Sequence, residues 1–148
     1  EIRMTLTIDS AAADYEAGLY VRYNPYTNSL NQTERTGIVF SESGVYIDRS
    51  QTSLYVTNLI NSHVWDNTQK QFDVVIYMDR SMLEVYVNGT VSFTTRMYPK
   101  YEDSDYLRFF AENCSLTVTN LQIYRMGSAY SETVTPAYYG NTGSIQDA

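Results

Sequence analysis

Short runs in which apolar and polar side chains alternate dominate this chain, and a period of two is the signature of half-buried strands. The clearest stretch is Phe72–Arg96, Phe-Asp-Val-Val-Ile-Tyr-Met-Asp-Arg-Ser-Met-Leu-Glu-Val-Tyr-Val-Asn-Gly-Thr-Val-Ser-Phe-Thr-Thr-Arg, which reads as three strands in succession. Its first turn falls at Asp79-Arg80-Ser81, and Asn88-Gly89 supplies the two positive-φ positions that a type I′ hairpin requires. Similar runs occur at Met4–Ile8, Gly18–Tyr23, Thr36–Phe40, Gly44–Asp48, Leu107–Ala111 and Ser115–Arg125, separated by clusters of Asn, Ser, Gly and Pro. About nine to twelve short strands with no helical period of useful length predict an all-β fold. The expected architecture is a two-sheet antiparallel β-sandwich, jelly-roll or concanavalin-like.

Composition sharpens that picture. Tyr occurs 15 times against one Trp and 5 Phe, interleaved with Val, Thr and Ile, the residues that suit a pleated, half-buried surface. A chain of 148 residues fits one core. The polar run after Gly127, with Pro136 and Gly140, divides it into a sandwich over 1–127 and a tail, linker or edge segment over 128–148. The first residue is Glu1, and no basic segment followed by an apolar run opens the chain. A signal or anchor is therefore absent or already removed, and the piece looks excised from something longer. No run approaches the roughly 18 consecutive apolar residues of a membrane-spanning helix, so a soluble chain is expected.

A net charge of -7 with only 10 Lys and Arg gives no footprint for a phosphate backbone, which sets nucleic acid aside. Cys114 is the only cysteine, which excludes an internal disulfide and a cysteine-based zinc cluster. Sequons at Asn31, Asn88 and Asn113 matter only in a eukaryotic secretory host.

The stretches Val75–Pro99, Leu107–Tyr124 and Val45–Ser50 resemble the C-terminal sandwich of family 32 glycoside hydrolases, the invertases, inulinases and levanases. The resemblance covers most of residues 34 to 126; residues 1 to 33 rest on the strand pattern alone. The same sandwich recurs as a free-standing fructan-binding module, family 66 of carbohydrate-binding modules, which recognises terminal fructose units of levan-type polymers. The resemblance thus implies a non-catalytic, extracellular sandwich, covalently attached to a catalytic neighbour, with fructan as partner and no cofactor. Those enzymes carry their chemistry on a separate five-bladed propeller. Its signature segments, Asn-Asp-Pro-Asn-Gly, Arg-Asp-Pro and Glu-Cys, do not occur here, and Cys114 follows Asn113 rather than Glu.

A neutral sugar offers hydroxyls and no charge, so its site needs fixed donors and acceptors, and Arg with carboxylate suits vicinal diols. Asp48-Arg49-Ser50 and Asp79-Arg80-Ser81 each follow an apolar strand, where loops gather and recognition surfaces form. The bland reading is that each Asp caps its own turn and each Arg braces a neighbouring loop. Glu34, ahead of Thr36, resembles the acidic residue before a Thr-containing strand in the fructan-binding relatives; otherwise it is a solvated loop carboxylate. Trp65 and the loop around His63 offer an apolar platform for one sugar face, although a lone Trp in a sandwich usually belongs to the core.

Other constellations carry less. Glu84 sits inside a regular strand and reads as paired or exposed rather than as half of a hydrolytic carboxylate pair. Ser62-His63 with Asp66 lacks the nucleophile elbow of a triad. Glu102-Asp103-Ser104-Asp105 offers oxygens to Ca²⁺ but reads as a solvated loop. The leading expectation is a loop-end pocket of Glu34, Asp48, Arg49 and Arg80 gripping a fructose unit of levan or inulin. Its rival is a sandwich that only buttresses a propeller.

Overall fold

The computed structural model describes residues 1–26, 33–52, 60–64 and 69–127. Trp65, Asp66, the first sequon's Asn31 and the segment 128–148 lie outside the described residues. Ten strands form among those described: β1 Ile2–Asp9, β2 Glu16–Tyr23, β3 Thr36–Ser41, β4 Gly44–Asp48, β5 Ile60–Val64, β6 Gln71–Asp79, β7 Met82–Val87, β8 Val91–Arg96, β9 Tyr106–Glu112 and β10 Ser115–Ile123.

They make two five-stranded sheets, the first in the order β10-β1-β6-β7-β8 and the second in the order β5-β4-β3-β2-β9. Every pairing within them is antiparallel. The expected all-β sandwich is therefore the fold. The period of two sorts the side chains. Ile2, Met4, Leu6 and Ile8 of β1 and Phe72, Val74 and Ile76 of β6 face Ala17, Leu19 and Val21 of β2 and Ile38 and Phe40 of β3 in one core. Phe40 and Phe72 meet with ring centroids 4.9 Å apart. Burying a side chain of this size contributes roughly 1.5–3 kcal/mol.

The turn chemistry follows the sequence. Asn88 and Gly89 have φ of 52° and 66°, and Thr90 N–H donates to the Val87 carbonyl at 3.1 Å, closing the turn between β7 and β8. Asp73 N–H donates to Asn88 Oδ1 at 2.8 Å, so the turn is also pinned to β6. Gly18 and Gly44 carry φ of 154° and 152° inside strands, and a Cβ on either would run into a carbonyl oxygen of the adjoining strand, Ile38 or His63. Only a residue without a Cβ meets both demands.

One expectation needs correction. His63 lies in an edge strand, not a loop: β5 pairs with β4 in the register Val45↔His63 and Tyr46↔Ser62. Its run Asn61-Ser62-His63 hides the strand from any hydrophobic pattern. The ladder forms through the backbone, and polar residues suit an unpaired edge.

Candidate functional site

β2, β4, β6 and β8 all finish at the same end of the sandwich, and there the two Asp-Arg-Ser segments meet, one from each sheet. Arg80 occupies the tight β6–β7 turn with φ 49°. Its carbonyl accepts a 2.8 Å hydrogen bond from Arg22 Nη2, across the gap between the sheets. Arg22 reaches across because β2 bulges there: Tyr20 pairs with Arg108 and Tyr23 with Tyr106, which sets two residues, Val21 and Arg22, against one, Leu107. The extra residue has φ 48°, which a β-bulge uses to re-aim a side chain. The other non-glycine residues with positive φ among those described are Asn88, Asn113 and Asn120, a type that tolerates this conformation. Two arginines in it, hydrogen-bonded to each other, hold backbone strain on the order of 1–3 kcal/mol each at one place. Arg22 Nε is shielded from solvent and has no hydrogen-bond acceptor among the described residues.

A second tie runs parallel. Arg49, 8% exposed, donates through Nη1 to the Arg96 carbonyl at 3.2 Å, and Arg96 Nη1 donates to Ser81 Oγ at 3.0 Å. The end of the sandwich is thus a linked set, Arg22–Arg80–Ser81–Arg96–Arg49, with Asp79 and Arg80 exposed on its surface.

The structure divides the expected site residues. Asp79 and Arg80 are open to solvent at this end. Asp48 is half-buried, and its Oδ1 accepts the Ser50 N–H at 2.7 Å, which caps the turn after β4. Arg49 and Glu34 sit inside. Glu34, 4% exposed, accepts from Lys100 N–H at 3.1 and 2.9 Å, from Tyr101 N–H at 3.3 Å and from Ser104 Oγ at 2.6 Å. Its carboxylate pins the loop before β9, and the Glu34 carbonyl accepts from Asn24 N–H. Trp65 lies outside the described residues. Of the lesser constellations, Glu84 accepts from the Tyr86 hydroxyl at 3.1 Å, and Asp103 accepts from Asn24 Nδ2 at 3.0 Å. Among the described residues no three His, Cys, Asp or Glu side chains gather as metal ligands do.

Sequence reasoning missed the outward face of the second sheet. Its cross-strand rows read Asp48–Gly37–Tyr20–Arg108, then Ser62–Tyr46–Val39–Gly18–Phe110, then Val64–Gly44–Ser41–Glu16–Glu112. Tyr20 and Phe110 stack at 4.4 Å and 10°, and the Arg35 guanidinium lies 4.2 Å over the Tyr20 ring. The Tyr46 hydroxyl donates to Glu16 Oε1 at 2.6 Å. Burial, then that hydrogen bond and the negative charge of Glu16 and Asp48, push the Tyr46 phenol well above the usual tyrosine range. Burial likewise raises Tyr20, against the opposing pull of Arg35. The period-two pattern held the signal, since Tyr20, Tyr46 and Phe110 alternate with core residues. Tyrosine is so abundant in this chain that these three did not stand out.

These features define a two-layer antiparallel sandwich with polar chemistry gathered at one loop end and along one sheet face. The family model described as Glycosyl hydrolases family 32 C terminal matches residues 1–125, and the chain belongs to that family. It corresponds to the C-terminal accessory sandwich rather than to the catalytic propeller. The match takes in β1 and β2, beyond the reach of the motif resemblance.

Three solved structures share the fold. The chain is 24% identical to the crystal structure of A. japonicus CB05, with TM-score 0.60, and covers 81% of this chain and 21% of that one. For the wild-type fructosyltransferase from A. japonicus the values are 24%, 0.57, 81% and 21%. For the Aspergillus kawachii beta-fructofuranosidase complexed with glycerol they are 18%, 0.54, 79% and 22%. The chain thus spans about a fifth of the length of these proteins. No curated protein matches it.

Proposed function

We propose that this domain is a non-catalytic carbohydrate-binding sandwich that holds fructose units of levan or inulin and keeps an attached, secreted fructan-cleaving enzyme on its polymer. The observation that carries the reading is the Arg22–Arg80 pair. Two arginines in a costly backbone conformation are bonded across the sheets, with the exposed Asp79 carboxylate beside them. Strain of this kind persists where the surrounding structure over-determines it and concentrates at functional sites. A guanidinium and a carboxylate carried side by side on a backbone that is already fixed offer donors and acceptors to a diol with less chain to order at the moment of binding. Family membership supports the fructose-based choice of ligand, and it agrees with structural neighbours that are a fructosyltransferase and a beta-fructofuranosidase.

With each charge-assisted hydrogen bond netting about 1.5–3 kcal/mol, a monosaccharide should bind in the millimolar to tens-of-micromolar range, and a polymer tighter through avidity. Titration calorimetry with levan, inulin, sucrose and fructose tests this: Arg80→Ala should weaken binding at least about tenfold while leaving stability within about 0.5 kcal/mol, since the side chain is exposed. Heat from none of the four sugars ends the proposal.

A second reading, a sandwich that only buttresses a propeller, is favoured by a different observation. Leu121, Ile123, Tyr124 and Met126 stand 45–61% exposed together at the end of β10, an apolar surface suited to a covalent neighbour. The buttress reading predicts no sugar binding and self-association of the isolated domain; the module reading predicts binding by a monomer.

A further inference from the structure

We infer that the outward face of β2, β3, β4 and β9 is a second carbohydrate-binding surface, which takes an extended, uncharged glycan chain rather than a single sugar. The inference deepens the proposed function and rests on residues other than the Arg22–Arg80 pair.

Its first support is an outward-facing group of rings with polar partners. Phe110, Tyr20 and Arg35 form one continuous stack, and the buried Tyr23 backs it at 6.3 Å from Tyr20. Tyr46 of β4 reaches over β3 to Glu16 of β2, and their hydrogen bond spans the strand that carries Val39. A soluble sheet face usually carries scattered polar groups; here the rings are held in place by cation–π and ring contacts, so little freedom is lost when a ligand covers them. The apolar side of a sugar ring meets such aromatic surface well, and its hydroxyls meet the polar groups beside it.

The second is relief. At Gly37 a Cβ would fall 3.2 Å from Val39 Cγ2 and 3.6 Å from Tyr20 Cδ1, so the missing side chain lets its neighbours close low over the backbone. Val39 is 4% exposed although it faces outward. From Phe110 on β9 to Tyr46 on β4 are three inter-strand spacings, roughly 14 Å, more than one monosaccharide spans.

The third is charge. Glu16, Asp48 and Glu112 face Arg35 and Arg108 here, and the first three with Arg35 all act electrostatically on the Tyr20 phenol, so they share one neighbourhood. Near balance in a chain of net charge -7 suits a neutral ligand with both donors and acceptors to satisfy, and disfavours an anion. The carboxylates accept from sugar hydroxyls, while Arg35 and the Tyr20 phenol donate.

The test is an amide-shift titration of the nitrogen-15-labelled domain with fructose and with a levan oligosaccharide of about six units, long enough to cross the roughly 14 Å face. With the oligosaccharide, the amides of residues 16–20, 37–39, 46–48 and 110 should shift; with fructose, shifts should stay at residues 79–81 and 96. Phe110→Ala should lower oligosaccharide affinity at least about fivefold with fructose affinity unchanged, the scale of losing one aromatic contact. Glu16→Gln, which preserves shape, should lower it about twofold to threefold, a weakened charge-assisted bond. Should Phe110→Ala disturb the fold, Glu16→Gln decides. Oligosaccharide shifts confined to residues 79–81 and 96, or both variants at full affinity, overturn this inference and leave the loop-end site standing. Shifts on the face alone uphold it and remove the loop-end site, and silence with both sugars removes both.

Discussion

Glu34 gives the sharpest test of which polar groups build the domain and which face a ligand. Its carboxylate satisfies the Lys100 and Tyr101 N–H groups and the Ser104 hydroxyl, and Ser104 is fully buried. Truncation to Ala leaves those donors without their acceptor in a place water reaches poorly. An orphaned buried donor costs about 1–3 kcal/mol, and because the three share one acceptor and relax together, a total of about 3–5 kcal/mol is expected for Glu34→Ala. Glu34→Gln keeps one acceptor oxygen but turns an amide NH₂ toward the remaining donors, and should cost about 1–2 kcal/mol. Urea denaturation followed by circular dichroism measures both, with an unchanged slope showing that stability alone has moved. The same preparations are then titrated with levan oligosaccharide. If Glu34→Gln is as stable as the parent yet fails to bind sugar, the carboxylate serves the ligand and the loop-pinning account is wrong.

Other outcomes follow from single features. Gly18→Ala places a Cβ against the Ile38 carbonyl at a φ that L-residues avoid; it should cost more than about 3 kcal/mol and lower the thermal midpoint by about 10 °C in a scan. The raised Tyr46 phenol sets a sign for alkaline pH. The unfolded chain ionises this tyrosine near pH 10 while the folded chain resists, so stability is intact below about pH 10 and declines as pH climbs toward the folded value. Tyr46→Phe should therefore flatten the fall in unfolding midpoint above about pH 10, and an unaltered alkaline profile would refute the assignment.

Much of the fold was legible because strand signals and turn signals agreed. Asn88-Gly89 announced a hairpin that the left-handed backbone at both residues fulfils, and the alternation through Phe72–Arg96 named the core side chains of β6, β7 and β8. β5 was not legible, because an edge strand is specified by its partner's backbone and not by its own polar side chains. The candidate site was legible in part for a similar reason. Composition and spacing put Asp48, Arg49, Asp79 and Arg80 near strand ends, which is where they lie. Whether a charged side chain turns outward or is consumed by a neighbouring loop depends on contacts distant in sequence. Glu34 meets residues 66 to 70 positions away, and Arg49 meets a carbonyl 47 positions away. Arg22 carried no mark at all, since a bulge is a mismatch between two strands and neither strand shows it alone.

That mismatch says something about Arg22 itself. Between the paired positions, Val21 and Arg22 of β2 stand against Leu107 of β9 alone, so excising Arg22 would restore one-to-one pairing from Tyr20 to Tyr23. The ladder between β2 and β9 does not need this residue; the tie to the Arg80 carbonyl across the sheets does. A one-residue deletion there is thus a cleaner probe than any substitution, because it erases a guanidinium and a kink together while the ladder on either side can close up unchanged.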